Sequence, residues 1–134
     1  FCTNALAGAP CVVEGDGEQS RDFTYVTDVA RGNLLAMDAD LPSGVKINLA
    51  GGGRYSLLQL LDTIEEICDR PLERRFVGSR PGDVRHSQAA VERAEELLGF
   101  RTEISFAEGM RRTIEWYRTT LGPAGAGREQ EGQP

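Results

Sequence analysis

The strongest constraint on the fold is an apolar stripe at helical spacing near the middle of the chain. The stripe consists of Leu57, Leu60, Leu61, Ile64, Ile67 and Cys68. Ser56 precedes it and Gln59 follows Ser56 by three residues, which is the pattern of a capping box. The chain reaches Pro71 soon afterwards, and proline disfavours helical backbone in the residue before it. The spacing therefore predicts a helix that begins after Ser56, ends near Arg70 and buries one face.

Short strand-forming segments alternate with further helix signals on both sides of this stripe. The predicted strands are 11–13, 23–26, 45–49 and 72–77. The other predicted helices are the end of a helix over 1–8, then 28–38, 91–98 and 106–121. Short strands that alternate with helices are typical of an α/β arrangement. We therefore predict a small α/β domain over residues 1–121.

Two of these helices carry a capping signal of their own. Thr27 is expected to cap the helix over 28–38, with Asp28 at its positive end. Ser105 and Glu108 form a second capping-box pattern before the last helix. These signals set the predicted helix beginnings.

Length and composition indicate one globular domain followed by a tail. The 134 residues suit one domain. Residues 122–134 are rich in Gly, Pro, Gln and Glu without an apolar pattern, so we expect them to be disordered. The start at Phe1 lacks a basic stretch followed by an apolar run, so no signal peptide is expected, and the chain is expected to begin inside a helix. No apolar run approaches the roughly 20 residues of a membrane helix.

Charge and cysteine usage restrict the classes of partner. The chain carries 15 basic and 21 acidic residues, a formal net charge of −6, whereas general nucleic-acid binding needs a basic face. An anionic ligand is still allowed, because local arginines decide such binding. Cys2, Cys11 and Cys68 are odd in number and lack metal-like spacing, which favours free thiols in a reducing cytoplasm. His86, the only histidine, is either a surface residue or part of a Ser/His/Asp arrangement.

Arg21 is the first candidate for binding an anion. It follows the glycine-rich stretch 15–20 and precedes a predicted strand. An arginine at such a junction can present its planar guanidinium to a phosphate. The alternative is a surface ion pair with Asp22 or another acidic residue.

The tract 80–83 is the second candidate. Pro81-Gly82 suits the centre of a type II turn, because proline fixes φ at the first central position and glycine accepts a positive φ at the second. Arg80 and Asp83 would then lie near each other, where Arg80 can bind a phosphate and Asp83 can accept hydrogen bonds from ribose hydroxyls. The alternative is a solvent loop in which these two side chains pair with each other.

The sequence lacks the motifs that would bind a dinucleotide or perform catalysis. The glycine-rich segment 51–53 is not followed by Gly-Lys-Ser/Thr, so a tight packed turn is expected there rather than a P-loop. No Gly-x-x-Gly-x-x-Gly turn is present. None of Tyr25, Tyr55 and Tyr117 has a lysine four residues later. We therefore assign no catalytic, cofactor-binding or metal-binding residue.

Five segments in order resemble one family of enzymes. They are 15–30 with GDGEQSRDFTYVTDVA, 47–53, 80–85 with RPGDVR, 94–100, and 106–117 with FAEGMRRTIEWY. Together they are similar to the extended short-chain dehydrogenase/reductases that act on sugar nucleotides as NAD-dependent epimerases, dehydratases and decarboxylases. The resemblance spans about residues 1–121 and is greatest to the UDP-glucose 4-epimerase type. It implies a C-terminal substrate-binding portion, with the Rossmann half absent.

The resemblance also implies roles for individual residues. Arg21 and Arg80 would bind the diphosphate of the sugar nucleotide, and Asp83 would bind the ribose. Val12 to Glu14 would lie along the nucleobase, where family members often carry an aromatic residue at the position of Glu14. Gly53 would lie in a loop that approaches the nucleoside.

The family's catalytic machinery has no counterpart in this sequence. The NAD-binding half, with its glycine motif and its Tyr-x-x-x-Lys pair, lies upstream in the family. We therefore expect NAD in the complete enzyme, none bound by this chain alone, and no activity of the chain alone. The expected ligand is a UDP- or dTDP-linked sugar, and the missing Rossmann half is an expected partner for an exposed apolar surface. The alternatives are a portion of a dehydratase or decarboxylase, or a non-catalytic nucleotide-sugar-binding or docking module.

Overall fold

The computed structural model describes residues 1–121 and confirms the predicted α/β class. Helices and short strands alternate along these residues, and the predicted disordered tail lies outside them. Within the same range, no helix combines the length and the apolar character needed to cross a membrane. The elements are α1 Cys2–Ala7, β1 Cys11–Glu14, β2 Ser20–Arg21, α2 Val26–Asp38, β3 Tyr55–Ser56, α3 Leu57–Cys68, β4 Arg74–Val77, α4 Glu92–Leu98 and α5 Phe106–Leu121.

The predicted apolar stripe forms α3, which lies at the centre of the core. One side of α3 packs against α1 and α5, and the other side packs against β1. Burial of a large apolar side chain stabilises a fold by about 1.5–3 kcal/mol, so these contacts dominate the stability of the domain. The buried members of the two clusters are Ala5, Cys11, Val13, Leu60, Leu61, Ile64 and Ile114.

The beginning of α3 confirms the predicted capping box. The Gln59 backbone N–H donates to Ser56 Oγ at 3.1 Å, and the Ser56 N–H donates to Gln59 Oε1 at 2.8 Å. Two backbone donors at the helix start are thereby satisfied. The helix ends at Cys68, and Asp69 adopts the left-handed conformation with φ 50°.

The second predicted capping box, at the start of α5, is confirmed only in part. The Glu108 backbone N–H donates to Ser105 Oγ at 3.3 Å. The Glu108 carboxylate instead pairs with Arg111 at 2.8 Å and Arg112 at 2.6 Å. These two guanidinium groups lower the pKa of Glu108 to about 2. The carboxylate therefore forms ion pairs within α5 and does not complete the capping box.

The strand predicted over 23–26 is wrong. The regular pairing ends at Arg21, and α2 begins at Val26 with Tyr25 as its N-cap, so Thr27 lies inside the first turn. The aromatic residues that suggested a strand have another use, because the Phe23 ring lies 5.6 Å from the Phe106 ring of α5. Aromatic residues that favour a strand in the sequence therefore pack against a helix in the structure.

The strand predicted over 45–49 is also not found. Val45, Ile47 and Leu49 are half-buried while Lys46 and Asn48 are exposed, which is the alternation of a strand with one packed face. No other segment within residues 1–121 forms a ladder with it. A strand needs a backbone partner as well as an apolar pattern, and the pattern alone misled the prediction.

The strand pairing brings two loops to one edge of the molecule. β1 and β4 run parallel, with Val12 opposite Arg75 and Glu14 opposite Val77. The carboxyl ends of parallel strands meet at the same edge, which is where α/β sheets bind ligands. The loop after β4 contains Arg80, and the loop after β1 leads into β2, which contains Arg21. β2 pairs antiparallel with β3.

Candidate functional site

Backbone hydrogen bonds join the loop after β1 to the loop after β4. The Gly15 N–H donates to the Val77 carbonyl at 3.0 Å, next to the strand ends. Farther along, the Ser20 N–H donates to Arg85 O at 2.9 Å, and the Ser87 N–H donates to Ser20 O at 3.0 Å. These backbone hydrogen bonds therefore hold the segment 78–87 against residues 15–20.

Arg21 contacts Asp83 on this surface. The Arg21 Nη2 atom lies 2.7 Å from Asp83 Oδ1, and the two side chains are 31% and 35% exposed. Arg21 Nη1 also donates to the Ser20 carbonyl at 2.8 Å. The second hydrogen bond fixes the guanidinium, and the partial exposure leaves it accessible. The acidic partner of Arg21 is Asp83, whereas Asp22 next to it in sequence has other partners.

The predicted turn at Pro81-Gly82 is confirmed. The Asp83 N–H donates to Arg80 O at 3.2 Å, and Gly82 has φ 81°, which glycine adopts without strain. The turn holds Arg80 and Asp83 at its two ends, but their side chains face different partners. Arg80 Nε lies 3.5 Å from Glu14 Oε2, and its side chain is 71% exposed.

Glu14 is the last residue of β1, and Val12 lies two residues before it on the same strand. The Glu14 side chain and Val12 are each 45% exposed. The backbone of Glu14 is fixed by Gln19, whose Nε2 donates to the Glu14 carbonyl at 2.6 Å and whose side chain is buried. Both predicted residues are therefore accessible from solvent on β1.

Three ion pairs join residues 14–21 to residues 80–85, and we call these charged side chains the arginine face. Besides the two pairs above, Arg85 Nη1 contacts Asp16 at 2.9 Å. The Glu18 N–H and the Arg85 guanidinium hold the pKa of Asp16 below its ordinary value. The members of the arginine face are Glu14, Asp16, Arg21, Arg80, Asp83 and Arg85.

Gly53 lies next to the arginine face through β3. Tyr55, two residues later, is the Cα partner of Arg21. A Cβ atom at Gly53 would lie 2.7 Å from the Tyr55 ring, so a larger residue would displace that ring. The neighbouring amides are already used, because Gly51 N–H donates to Thr24 Oγ1 at 3.1 Å and Gly52 N–H donates to Asp22 Oδ2 at 3.0 Å. The close packing predicted for this segment is present, but residues 51–54 form no hydrogen-bonded turn.

Asp22 has a positioning role that the sequence did not reveal. Its Oδ2 accepts the Gly52 N–H and also the Ala89 N–H at 3.4 Å. The carboxylate therefore ties the glycine turn to the chain just after the segment 78–87. Only the three-dimensional pairing shows this, because these groups lie far apart in sequence.

His86 contacts a serine without completing a catalytic arrangement. Its Nδ1 lies 2.8 Å from Ser20 Oγ. Ser20 is 4% exposed, so its hydroxyl is closed to a substrate. Within residues 1–121, no carboxylate is hydrogen-bonded to His86. The pair therefore fastens the segment 78–87 to β2 beside the backbone bonds of Ser20.

Two small cavities flank the Phe23 and Phe106 rings. The larger, of about 240 Å³, is lined mainly by apolar groups that include Tyr25 and Met110. The smaller, of about 110 Å³, includes Gly53. Of the predicted binding residues, Gly53 alone lines either of these two cavities. The arginine face is instead an open surface.

Burial disfavours the reactive form of two of the three cysteines. Cys2, Cys11 and Cys68 are free. Burial raises the pKa of the Cys2 and Cys11 thiols, which disfavours the reactive thiolate. Residues 1–121 also hold no group of three or more His, Cys, Asp or Glu side chains arranged for a metal ion.

Residues 1–50 match the family described as the NAD dependent epimerase/dehydratase family. A curated relative is the UDP-glucuronate 4-epimerase of Thermodesulfobacterium geofontis (strain OPF15). It is 33% identical over 114 residues, which cover 84% of this chain and 34% of that protein. The relatives also include a UDP-glucuronic acid decarboxylase of Arabidopsis thaliana and a dTDP-glucose 4,6-dehydratase of Actinoplanes sp..

Solved structures give the same result. The UDP-glucose 4-epimerase of Thermotoga maritima, crystallised with UDP-glucose, is 36% identical with a TM-score of 0.85, over 91% of this chain and 39% of that chain. The UDP-glucuronic acid 4-epimerase of Bacillus cereus, in complex with UDP-glucuronic acid and NAD, is 28% identical with a TM-score of 0.84, over 88% and 38%. The predicted resemblance is therefore confirmed: residues 1–50 match the family model, and the chain is homologous to sugar-nucleotide epimerases, of which it spans little more than a third of the length.

Proposed function

We propose that this chain is the substrate-binding portion of an NAD-dependent sugar-nucleotide epimerase of the UDP-glucose 4-epimerase type. The observation that carries the proposal is the 2.7 Å contact between Arg21 and Asp83, next to Arg80, at the edge where the parallel strands end. In this assignment Arg21 and Arg80 bind the diphosphate, because a guanidinium matches phosphate oxygens in charge and geometry. Asp83 accepts hydrogen bonds from the ribose hydroxyls.

The nucleoside is assigned to the strand ends beside these groups. Val12 and Glu14, both partly exposed on β1, would lie along a uracil or thymine base. Gly53 would border the nucleoside, because it leads into β3 and β3 pairs with Arg21. The solved relatives include epimerases crystallised with UDP-glucose and with UDP-glucuronic acid, which supports a nucleotide sugar as the ligand class.

We propose that the chain alone performs no epimerisation. The arginine face consists of partly exposed ion pairs, and the family's Tyr-x-x-x-Lys pair has no counterpart in the sequence. We expect no NAD on this portion, because parallel strand pairing within residues 1–121 is limited to β1 and β4 and the sequence has no glycine motif for a dinucleotide. Dehydratase and decarboxylase relatives support those reactions as alternatives, and a non-catalytic binding or docking module is the alternative from another class.

The exposed side of α2 supports a partner for this portion. Val26, Leu34 and Met37 lie on one side of the helix and are 68%, 61% and 79% exposed. Such an apolar stripe is typical of an interface. We propose that the NAD-binding half of the family's architecture covers it together with the unpaired segment 45–49. Binding of a fluorescent apolar dye should be strong and should fall in Leu34→Gln; unchanged dye fluorescence would contradict an exposed apolar interface.

We infer a cytoplasmic location from the three free thiols, since disulfides are rare in that reducing compartment.

Calorimetric titration with UDP-glucose and dTDP-glucose, with and without NAD, tests the binding assignment. Arg21→Ala and Arg80→Ala should each weaken binding about tenfold or more, because each removes a charge-assisted contact worth about 1.5–3 kcal/mol. Arg111→Ala is the matched control, since it removes an arginine from α5. NAD should change nothing. Equal affinities of the wild type and both site variants, or no binding by the wild type, would reject the assignment.

A further inference from the structure

The three ion pairs of the arginine face differ in how firmly the carboxylate is held. Asp83 contacts Arg21 at 2.7 Å, and Asp16 accepts both Arg85 and the Glu18 N–H at 2.9 Å. The Glu14 pair is longer, because Glu14 Oε2 lies 3.5 Å from Arg80 Nε. Of the three carboxylates, Glu14 therefore needs the least free energy to separate from its arginine.

Arg80 is also the most exposed arginine of the three. Its side chain is 71% exposed, against 57% for Arg85 and 31% for Arg21. An anion that binds Arg80 competes with the Glu14 carboxylate for the same guanidinium. The anion must then displace Glu14 or lie beside it, and both have a cost that grows with the negative charge of the ligand.

We propose that Glu14 is a specificity-determining residue that discriminates ligands by charge through Arg80. The inference rests on the proposed function, in which Arg80 binds the diphosphate. In a nucleotide sugar the outer phosphate is esterified by the sugar. In a free nucleoside diphosphate that phosphate is terminal, and its second pKa of about 6 gives it nearly one more negative charge at neutral pH. Glu14 therefore favours the nucleotide sugar over the nucleoside diphosphate that remains when the sugar is lost.

Titration of Glu14→Gln with UDP and UDP-glucose tests this inference. Replacement of the carboxylate by a neutral amide should tighten binding of UDP about fivefold and of UDP-glucose about twofold at low ionic strength, the size expected for an exposed charge pair. Glu18→Gln is the matched control, because Glu18 is exposed in the same loop and its carboxylate forms no ion pair within residues 1–121. It should change the ratio of the two affinities less than Glu14→Gln does.

The double variant shows whether the effect passes through Arg80. In an Arg80→Ala background, Glu14→Gln should shift the UDP to UDP-glucose affinity ratio much less, because the guanidinium for which Glu14 and the ligand compete is absent. An unchanged UDP to UDP-glucose ratio in Glu14→Gln, or the same shift in Glu18→Gln, would overturn the inference. If Arg80→Ala weakens UDP-glucose binding while Glu14→Gln leaves the ratio unchanged, the inference fails alone. If neither Arg21→Ala nor Arg80→Ala affects binding, the proposed function fails and the inference fails with it.

Discussion

The helical core and the arginine face are two regions held together by different forces. The core places Leu61, Ile64 and Ile114 out of contact with solvent, so its stability comes from buried apolar area. The arginine face consists of charged side chains that stay partly exposed, and exposed ion pairs contribute little to stability. The difference indicates that the core holds the loops in place while the arginine face remains available to a ligand.

The largest expected effect separates buried from exposed leucines. Leu61→Ala should lower the free energy of unfolding by about 3 kcal/mol or more, because it leaves a cavity between α3 and β1. Leu34→Ala is the matched control in a helix, where Leu34 is 61% exposed, and should change stability by less than about 0.5 kcal/mol. Urea unfolding followed by circular dichroism measures both. Equal losses would show that α2 is packed in solution.

The next effect concerns a carboxylate that belongs to the core. Asp28 is 2% exposed and accepts the N–H groups of Glu103 and Ile104, each at 3.1 Å. Asp28→Asn should lower the free energy of unfolding by about 2 kcal/mol, since an amide nitrogen would face a backbone donor. Thermal unfolding at neutral pH measures this loss, with Asp62→Asn at an exposed carboxylate as a comparison. An unchanged midpoint in Asp28→Asn would contradict a stabilising role of the buried carboxylate.

The same carboxylate predicts an acid dependence. Burial alone would raise the pKa of Asp28, but the N–H groups of Glu103 and Ile104 and the Arg31 guanidinium lower it below its ordinary value. A lowered folded-state pKa stabilises the protein above the unfolded-state pKa of about 3.9. That stabilisation is lost as the pH falls through the folded-state value. The unfolding midpoint of Asp28→Asn should therefore fall less steeply than that of the wild type below about pH 4.

A smaller effect compares the two capping sites. Ser56→Ala should cost about 1 kcal/mol, because the complete capping box before α3 loses its side-chain acceptor. Ser105→Ala should cost less, since the Glu108 carboxylate is committed to Arg111 and Arg112. Chemical denaturation of both variants gives the order. A larger loss in Ser105→Ala would show that the second box forms completely in solution.

The smallest effect on stability belongs to the arginine face. Arg80→Ala should change the free energy of unfolding by less than about 0.5 kcal/mol, because Arg80 is mostly exposed and its single ionic contact is long. The same variant is expected to lose nucleotide-sugar binding. Such a separation would distinguish a binding surface from a structural one, whereas a loss of stability as large as that of Leu61→Ala would contradict it.

The sequence predicted the elements that depend on neighbouring residues. Periodicity and a local capping pattern were sufficient for α3, and the Pro81-Gly82 turn followed from the φ preferences of its own residues. The strand over 23–26 failed, because aromatic residues stabilise a strand and a helix contact equally well. The segment 45–49 failed because pairing depends on a partner that periodicity cannot identify.

The contacts of the site depended on distant residues. Arg21 and Asp83 are 62 residues apart in sequence, and Arg85 and Asp16 are 69 apart. Their pairing follows from the parallel alignment of β1 with β4, which no local pattern specifies. The sequence therefore named the candidate arginines, while their acidic partners and the buried role of Asp28 required the fold.

The most direct test of the account is amide chemical-shift mapping of the chain during titration with UDP-glucose. We expect the perturbed amides to cluster in 14–21 and 79–87 and α3 and α5 to be unaffected. In Arg21→Ala and Arg80→Ala, the same perturbations should require at least about tenfold more ligand. Perturbations that instead cluster around Phe23 and Phe106, where the two cavities lie, would show that the ligand binds elsewhere and would contradict the arginine face as its site.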